Sequence, residues 1–434
     1  MKVFYILSLL VVLVSAEAPK KWALVVAGTH RWDNLGYVFE ANVCHLFHEL
    51  RQNGIPQENI ITMFYDSIAT DESNQHKGTI YNWPNGTNVY EGMIKDYTGS
   101  AITPENILKV LRGEKPGVGS GKVINSGPND HIYFYLNTHG GDGIALVEGV
   151  NQNRYLYRAD LLATLKSMHQ QQRYKHMLIH HATCEAGTMY YHHEDELAAI
   201  NVLAITGSAL ADDGLHVACY PHHDNDAYTS DAFTVALLYQ DDTRPMDQVT
   251  VSQQRQFAYN KVICSLVEQY GANQTVAQMK VSEFIGHRQS RQEKYPCKEV
   301  ATNRPDCHDK RSSMRNADLL LLEEKLKRAE SEVEKRRVRA EISDLMQKRR
   351  EVDRLLTELE SSLKHKKGVI LEPRSPSQVQ QFEQCHDAAV DTYVIRCSKH
   401  LQMPYGLKFA SALAHLCKSG VAHEEIRQAI RRIC

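Results

Sequence analysis

Before residue 288 the chain keeps switching between two periodicities, and that alternation limits the folds open to it. Apolar strand-like runs occur at 22–27, 60–65, 131–136, 177–183 and 202–206. Helical patterns lie between or after them. Phe39, Val43, Leu46, Phe47 and Leu50 keep a helical spacing, and Gly54 is placed to stop that helix. Thr103 and Pro104 open another as N-cap and first helical residue, and Gly113 ends it. Asp160 starts a third helix, and residues 231–239 suggest a fourth. Such alternation predicts an α/β fold whose mostly parallel sheet is covered on both faces. In that architecture functional sites gather at the C-terminal ends of strands.

Two strand ends carry chemistry. "DHIYFYLNTHGGDG" at 130–143 stops in His139 and two glycines, Gly140 and Gly141. Glycines let the backbone turn sharply and present its N–H groups. "HMLIHHATCEAGTM" at 176–189 ends its apolar run in Thr183 and Cys184, 45 positions after His139 (184 − 139). If these strands are neighbours, both side chains emerge at one sheet edge. A thiolate is the reactive form of cysteine, and a nearby imidazole favours it. The competing reading is a structural histidine and a core thiol, since cysteine is among the most buried residue types. The pairs His180-His181, His192-His193 and His222-His223 do not read as metal ligands. Neighbours on a strand point to opposite faces, and none shows a His-Glu-x-x-His spacing. No metal and no cofactor is expected.

The 434 residues allow several domains, and a net charge of −2 does not call for nucleic acid or an anionic membrane. The 22 histidines imply a strong change of charge between pH 7 and pH 5. Residues 1–16 read as a signal peptide: Lys2, then an apolar stretch, then Val14-Ser15-Ala16. No later segment is apolar for long enough to predict a membrane span. These features predict a soluble secretory-pathway protein, secreted or sent to the lysosome or vacuole. Sequons at Asn85 and Asn273 fit that route. Cys44, Cys184, Cys219 and Cys264 are scattered, Cys297 and Cys307 lie close together, and Cys385, Cys397, Cys417 and Cys434 crowd the last fifty residues. The tail therefore reads as a small disulfide-stapled domain.

The expected organisation is a signal peptide (1–16), a catalytic domain (17–287), a polar linker (288–316), a charged helical segment (317–366) and the stapled tail (377–434). The charged segment has no Gly or Pro and carries an apolar stripe, as one long helix or two.

The front half resembles legumain, the asparaginyl endopeptidase family of caspase-like cysteine peptidases. The resemblance rests on "WALVVAG" (22–28), "NGIP" (53–56), "WPNGTNVY" (83–90), "KDYTG" (95–99), "TPENILKVLRG" (103–113), "GSGKVINSGPNDHIYFY" (119–135) and "CEAGTM" (184–189). The tail cysteines, separated by 12, 20 and 17 positions, resemble those of the legumain prodomain. That resemblance implies Cys385–Cys417 and Cys397–Cys434 disulfides, and a caspase-like α/β/α sandwich around a six-stranded sheet. It makes Cys184 the nucleophile, His139 its partner and Asn34 the residue beside the histidine. The N–H groups of Gly140 and Cys184 form the implied oxyanion hole. It also implies protein and peptide substrates, cleavage after asparagine at acidic pH, cystatin-like inhibitors, and a zymogen covered by its own prodomain.

The chain departs from the family where specificity is made. The family reads an asparagine side chain with an arginine, a glutamate and an aspartate. Here "LGYVFEAN" (35–42) contains neither arginine nor histidine, the glutamate position is Ala182, and only Asp231 survives. Leu215 and His216 also replace small polar residues of the family's cleft. Two further readings follow: a peptidase with an altered P1 preference, and a silent relative that binds proteins. The processing site is constrained too. No asparagine follows Asn316, so self-cleavage after asparagine falls there or earlier, as at Asn303. Asn316 is favoured because it precedes a small alanine at a helix start.

Overall fold

The computed structural model describes residues 18–32, 35–83, 86–148, 154–210, 218–222, 227–262, 265–271, 274–288, 313–398 and 403–434. The expected signal peptide, Asn34, both sequon asparagines, Leu215, His216, Cys264, Cys297, Asn303 and Cys307 lie outside these residues.

The chain runs β1 (Lys21–Ala27), α1 (Gly36–Gln52), β2 (Ile60–Met63), α2 (Pro104–Arg112), β3 (His131–Asn137), β4 (Gly140–Gly141), β5 (Ile144–Val147), β6 (Arg154–Tyr157), α3 (Arg158–Gln170) and β7 (His176–Ala182). It continues through α4 (Glu194–Ala199), β8 (Val202–Thr206), β9 (Ala218–His222), β10 (Ala227–Asp231), α5 (Ala232–Thr243), α6 (Val251–Lys261), β11 (Glu268–Tyr270), α7 (Gln274–Gln278) and α8 (Ser282–Ile285). The main sheet has the order β11-β8-β7-β3-β1-β2. Its strands are parallel except β11, which runs antiparallel to β8.

The period of two along each strand feeds two cores. Val25, Tyr133, Tyr135, Leu178 and Ala182 face one layer with α1 and α5. Leu24, Val26, Phe134, Leu136 and Ile179 face the other with α2 and α3. Each buried large side chain contributes roughly 1.5–3 kcal/mol. The expected caps form: the Thr103 side chain accepts from the Asn106 N–H, and Gly113 closes α2 at φ 77°. The third helix begins at Arg158 rather than Asp160, which sits in its first turn.

Beyond the linker come α9 (Ala317–Arg328), α10 (Glu332–Leu363), α11 (Pro376–Arg396), α12 (Phe409–Lys418) and α13 (His423–Ile433). The charged segment is thus two helices, parted where Ser331 caps α10 through the Glu334 N–H. Disulfides join Cys385 to Cys417 and Cys397 to Cys434, the pairing that the resemblance implies. A third core packs Leu356, Leu359, Tyr393 and Phe409 of these helices against Ile144, Leu146 and Tyr155 of the small β4-β5-β6 sheet. That sheet begins immediately after His139. Among the described residues no helix is long and apolar enough to cross a membrane, and no cluster could hold a metal ion.

Candidate active site

Strands β3 and β7 are parallel neighbours with Asn137 opposite Ala182, so His139 and Cys184 each follow two residues beyond the same rung. The loops touch. A Cβ on Gly140 would collide with the Cys184 carbonyl oxygen, so only glycine fits there. Thr138 donates its N–H to Ala182 O at 3.3 Å, which ties the two turns together. The His139 ring meets Phe39 of α1 edge-on, with centroids 4.9 Å apart. His139 and Cys184 are 1% and 2% exposed. The loop that carries Cys184 is bent at Glu185, which adopts φ 55°.

The cover comes from the C-terminal helices and the residues before them. Arg315 reaches the site, pairing with Glu185 at 2.5 Å and donating to Gly140 O at 3.2 Å. Ser411 of α12 donates to the other Glu185 oxygen at 2.8 Å. Burial pushes the Glu185 carboxyl up, and Arg315 pulls against that shift. Burial opposes the charge on Arg315, but Glu185 and then Cys184 raise its pKa beyond the ordinary arginine value. Arg349 of α10, itself buried, holds the same segment. It donates to Asn316 Oδ1 at 2.8 Å and Arg315 O at 3.1 Å, and pairs with Asp318 at 2.5 Å. On the far side Glu383 of α11 accepts from His193 at 2.7 Å and pairs with Arg158 at 2.8 Å. Sequence reading did not single out Arg315, Arg349, Glu383 or Ser411. They are isolated polar residues whose role appears only when distant segments meet.

These features describe a cysteine–histidine pair at strand ends, closed by the chain's own tail. The Peptidase C13 family matches residues 21–287, and the legumain prodomain matches residues 340–434. The chain belongs to the peptidase C13 family. It is 32% identical to legumain of Rattus norvegicus, over 96% of this chain and 93% of that protein. It is 30% identical to legumain of Homo sapiens, over 96% and 94%. It is 31% identical to a vacuolar-processing enzyme of Ricinus communis, over 95% and 84%. As a C13 peptidase with a legumain prodomain, this is a cysteine endopeptidase made as a zymogen, with its own tail as inhibitor.

The C13 fold also shows what lies under the pair. Asp231, the surviving pocket candidate, is fully buried at the N-terminus of α5. Its carboxylate accepts from Asn42 Nδ2 at 2.6 Å, Asn137 Nδ2 at 2.8 Å, and the N–H and hydroxyl of Thr234 at 2.8 Å each. Ala182 is also fully buried, in the apolar cluster that contains Leu35, Phe39 and Cys184. Of the two adjacent histidines on β7, His180 bonds the Tyr133 hydroxyl on one face and His181 the Tyr190 hydroxyl on the other. Burial lowers the His180 pKa to about 3, so it stays neutral.

Proposed function

We propose that Cys184 and His139 carry out acyl-enzyme hydrolysis of peptide bonds at acidic pH, in a secretory-pathway compartment such as a lysosome or vacuole. The Cys184 thiolate attacks the scissile carbonyl carbon. The oxyanion sits between the N–H groups of Gly140 and Cys184. His139 gives its proton to the leaving amine as the C–N bond breaks. Water, deprotonated by His139, then cleaves the thioester and restores the thiol. The carrying observation is the contact of the His139-Gly140 turn with the Cys184 loop at the ends of paired strands. Asn34 as a partner of His139 rests on the resemblance alone.

The resemblance implies asparagine at P1, with Asp231 as its reader. One observation favours the altered-pocket reading instead: the Asp231 carboxylate is already satisfied from within its own domain. The two readings also differ on processing. Cleavage after Asn316 belongs with asparagine specificity. With an altered pocket, the cut falls elsewhere or another protease makes it.

The test holds purified proprotein at about pH 4–5, where carboxylates begin to protonate, and follows both peptide cleavage and new N-termini. Cleavage by wild type but not by Cys184→Ala is expected. Equal cleavage by a folded Cys184→Ala protein would overturn the dyad. A new N-terminus at Ala317 that requires Cys184 would restore the asparagine reading.

A further inference from the structure

We infer that Asn42 permanently occupies the amide-reading floor of the substrate pocket, so that the enzyme takes a small apolar residue at P1 instead of asparagine. The inference rests on the peptidase reading above and names its specificity-determining residue.

The placement follows from the register. Asn137 and Ala182 form the last rung of β3 and β7, two residues before His139 and Cys184. Asn137 donates to Asp231, so Asp231 lies directly below the candidate dyad, on the sheet face covered by α1. Phe39, one helical turn from Asn42 on α1, touches the His139 ring. The floor of any cleft between α1 and these strand ends is therefore the Asn42–Asp231 pair.

Asn42 is held there as a bound asparagine would be. A carboxamide needs an acceptor for its NH₂ and donors for its oxygen. Asn42 Nδ2 donates to Asp231 at 2.6 Å. Asn42 Oδ1 accepts from Asn82 Nδ2 at 2.7 Å and Ser230 Oγ at 2.6 Å. Asn82 is fixed in turn, donating to Thr229 O at 2.9 Å and bonding His45 at 2.8 Å. Asn42, Asn82, Ser230 and Asp231 are all buried. Three of the Asp231 donors, from Asn42, Asn137 and the Thr234 hydroxyl, converge on Oδ2, and the Thr234 N–H takes Oδ1. An incoming asparagine could be read only by expelling Asn42, which would strand buried groups on Asn82 and Ser230. Among the described residues, the apolar side chains next to the dyad on this face include Phe39, against the His139 ring, and Ala182, two residues before Cys184. Neither side chain offers a polar group to an amide.

The experiment uses acid-activated full-length protein and a peptide series differing only at P1. Wild type should cleave after alanine at least about tenfold faster, in kcat/KM, than after asparagine, within the range a methylene-sized pocket change commands. Asn42→Ala should move the asparagine-to-alanine ratio toward asparagine by about tenfold, because Asp231 then has an acceptor position to give. A wild type that prefers asparagine would overturn the inference. So would a folded Asn42→Ala protein with an unchanged ratio. If Asn42→Ala does not fold, the wild-type profile decides by itself: a preference for asparagine still overturns the inference. If no peptide is turned over by any variant, the acyl-enzyme reading fails by itself. Labelling of Cys184 by peptidyl ketones with alanine or asparagine at P1 then still ranks the pocket, and faster labelling by the asparagine ketone overturns the inference.

Discussion

Asp231 and Glu185 are both buried carboxylates beside the candidate dyad, yet their partners come from different places. Asp231 is satisfied by Asn42, Asn137 and Thr234, all within the catalytic domain. Glu185 is satisfied by Arg315 and Ser411, which lie in the segment before α9 and in α12. When the helices after Asn316 leave, nothing changes for Asp231, while Glu185 loses Ser411, and Arg315 loses the Arg349 contact that holds its segment in place. A buried charge without a partner is costly. The first acid is therefore part of the scaffold, and the second is a latch. An acid latch one residue after Cys184 ties the loop that carries it to the docked tail.

The largest effect breaks the frame in which that comparison matters. Cys184→Ala should lower peptide turnover by at least about 10³-fold, as loss of a nucleophile does elsewhere, while the melting temperature of the proprotein stays close to wild type. Turnover within tenfold of wild type, measured on folded protein, would mean that neither acid flanks the reacting atom. His139→Ala should behave likewise.

The next effect separates latch from scaffold. Arg315→Ala leaves Glu185 buried against Ser411 alone, and loss of one member of a buried pair costs about 3–5 kcal/mol. The expected outcome is a proprotein that melts earlier and exposes Cys184 to a thiol probe at neutral pH. Asp231→Asn should destabilise the protein too, since the new amide must face the donors of Asn42 and Asn137. That penalty should persist after the tail has been removed, whereas the Arg315→Ala penalty should shrink once Ser411 and the Arg349 contact that positions Arg315 are gone. Calorimetry of both variants before and after processing makes the distinction. Penalties that survive processing equally would end the comparison.

The scaffold side of the molecule was largely legible in the sequence, and the latch was not. Strand periodicity and the Thr103-Pro104 and Gly113 caps are local signals, so the five parallel strands of the main sheet and α2 appeared at nearly their true bounds, while the three-residue antiparallel β11 did not. His139 and Cys184 stood out because each ends an apolar run. The short β4–β6 sheet was hidden, because Gly140-Gly141 reads as a turn and becomes a strand only by pairing with β5. The charges of α10 pair locally, Lys348 with Asp344 and Arg354 with Glu358 along the helix itself, and Asp353 with Lys408 just before α12. Such short-range pairs say nothing about docking. Arg315 and Arg349 looked like two more cations in a charged region. Only the fold brings them to Glu185 and Asn316.

The smallest effect concerns how acid opens the latch, and here the signs divide. His192 sits between the domains, against Phe382 of α11. Burial, then the charges of Arg158 and Lys418, lower its pKa to about 4, against weaker opposing pulls from Glu372 and Glu383. A histidine whose pKa falls on docking is neutral in the docked state and takes up a proton when the tail leaves. Docking stability from this group is intact above its ordinary value near 6.5 and declines as pH falls toward about 4. His193 works the other way. Burial opposes its charge, but Glu383 and Glu196 overcome that and raise its pKa, so acid strengthens its contact. Burial raises Glu185 as well, so its protonation also favours the closed state. Glu383 resists burial through His193 and Arg158, which hold its pKa below the usual value, so its contribution is lost only at lower pH. His192 is thus the group that begins to oppose docking in mildly acidic solution. His192→Gln should move the midpoint for Cys184 labelling to lower pH, and His193→Gln should move it to higher pH. Stepped-pH labelling with a thiol probe, with Cys184→Ala as background, measures both. A midpoint unmoved in both variants would place the acid trigger outside this interface. It would leave the Glu185 latch to respond to cleavage of the chain alone.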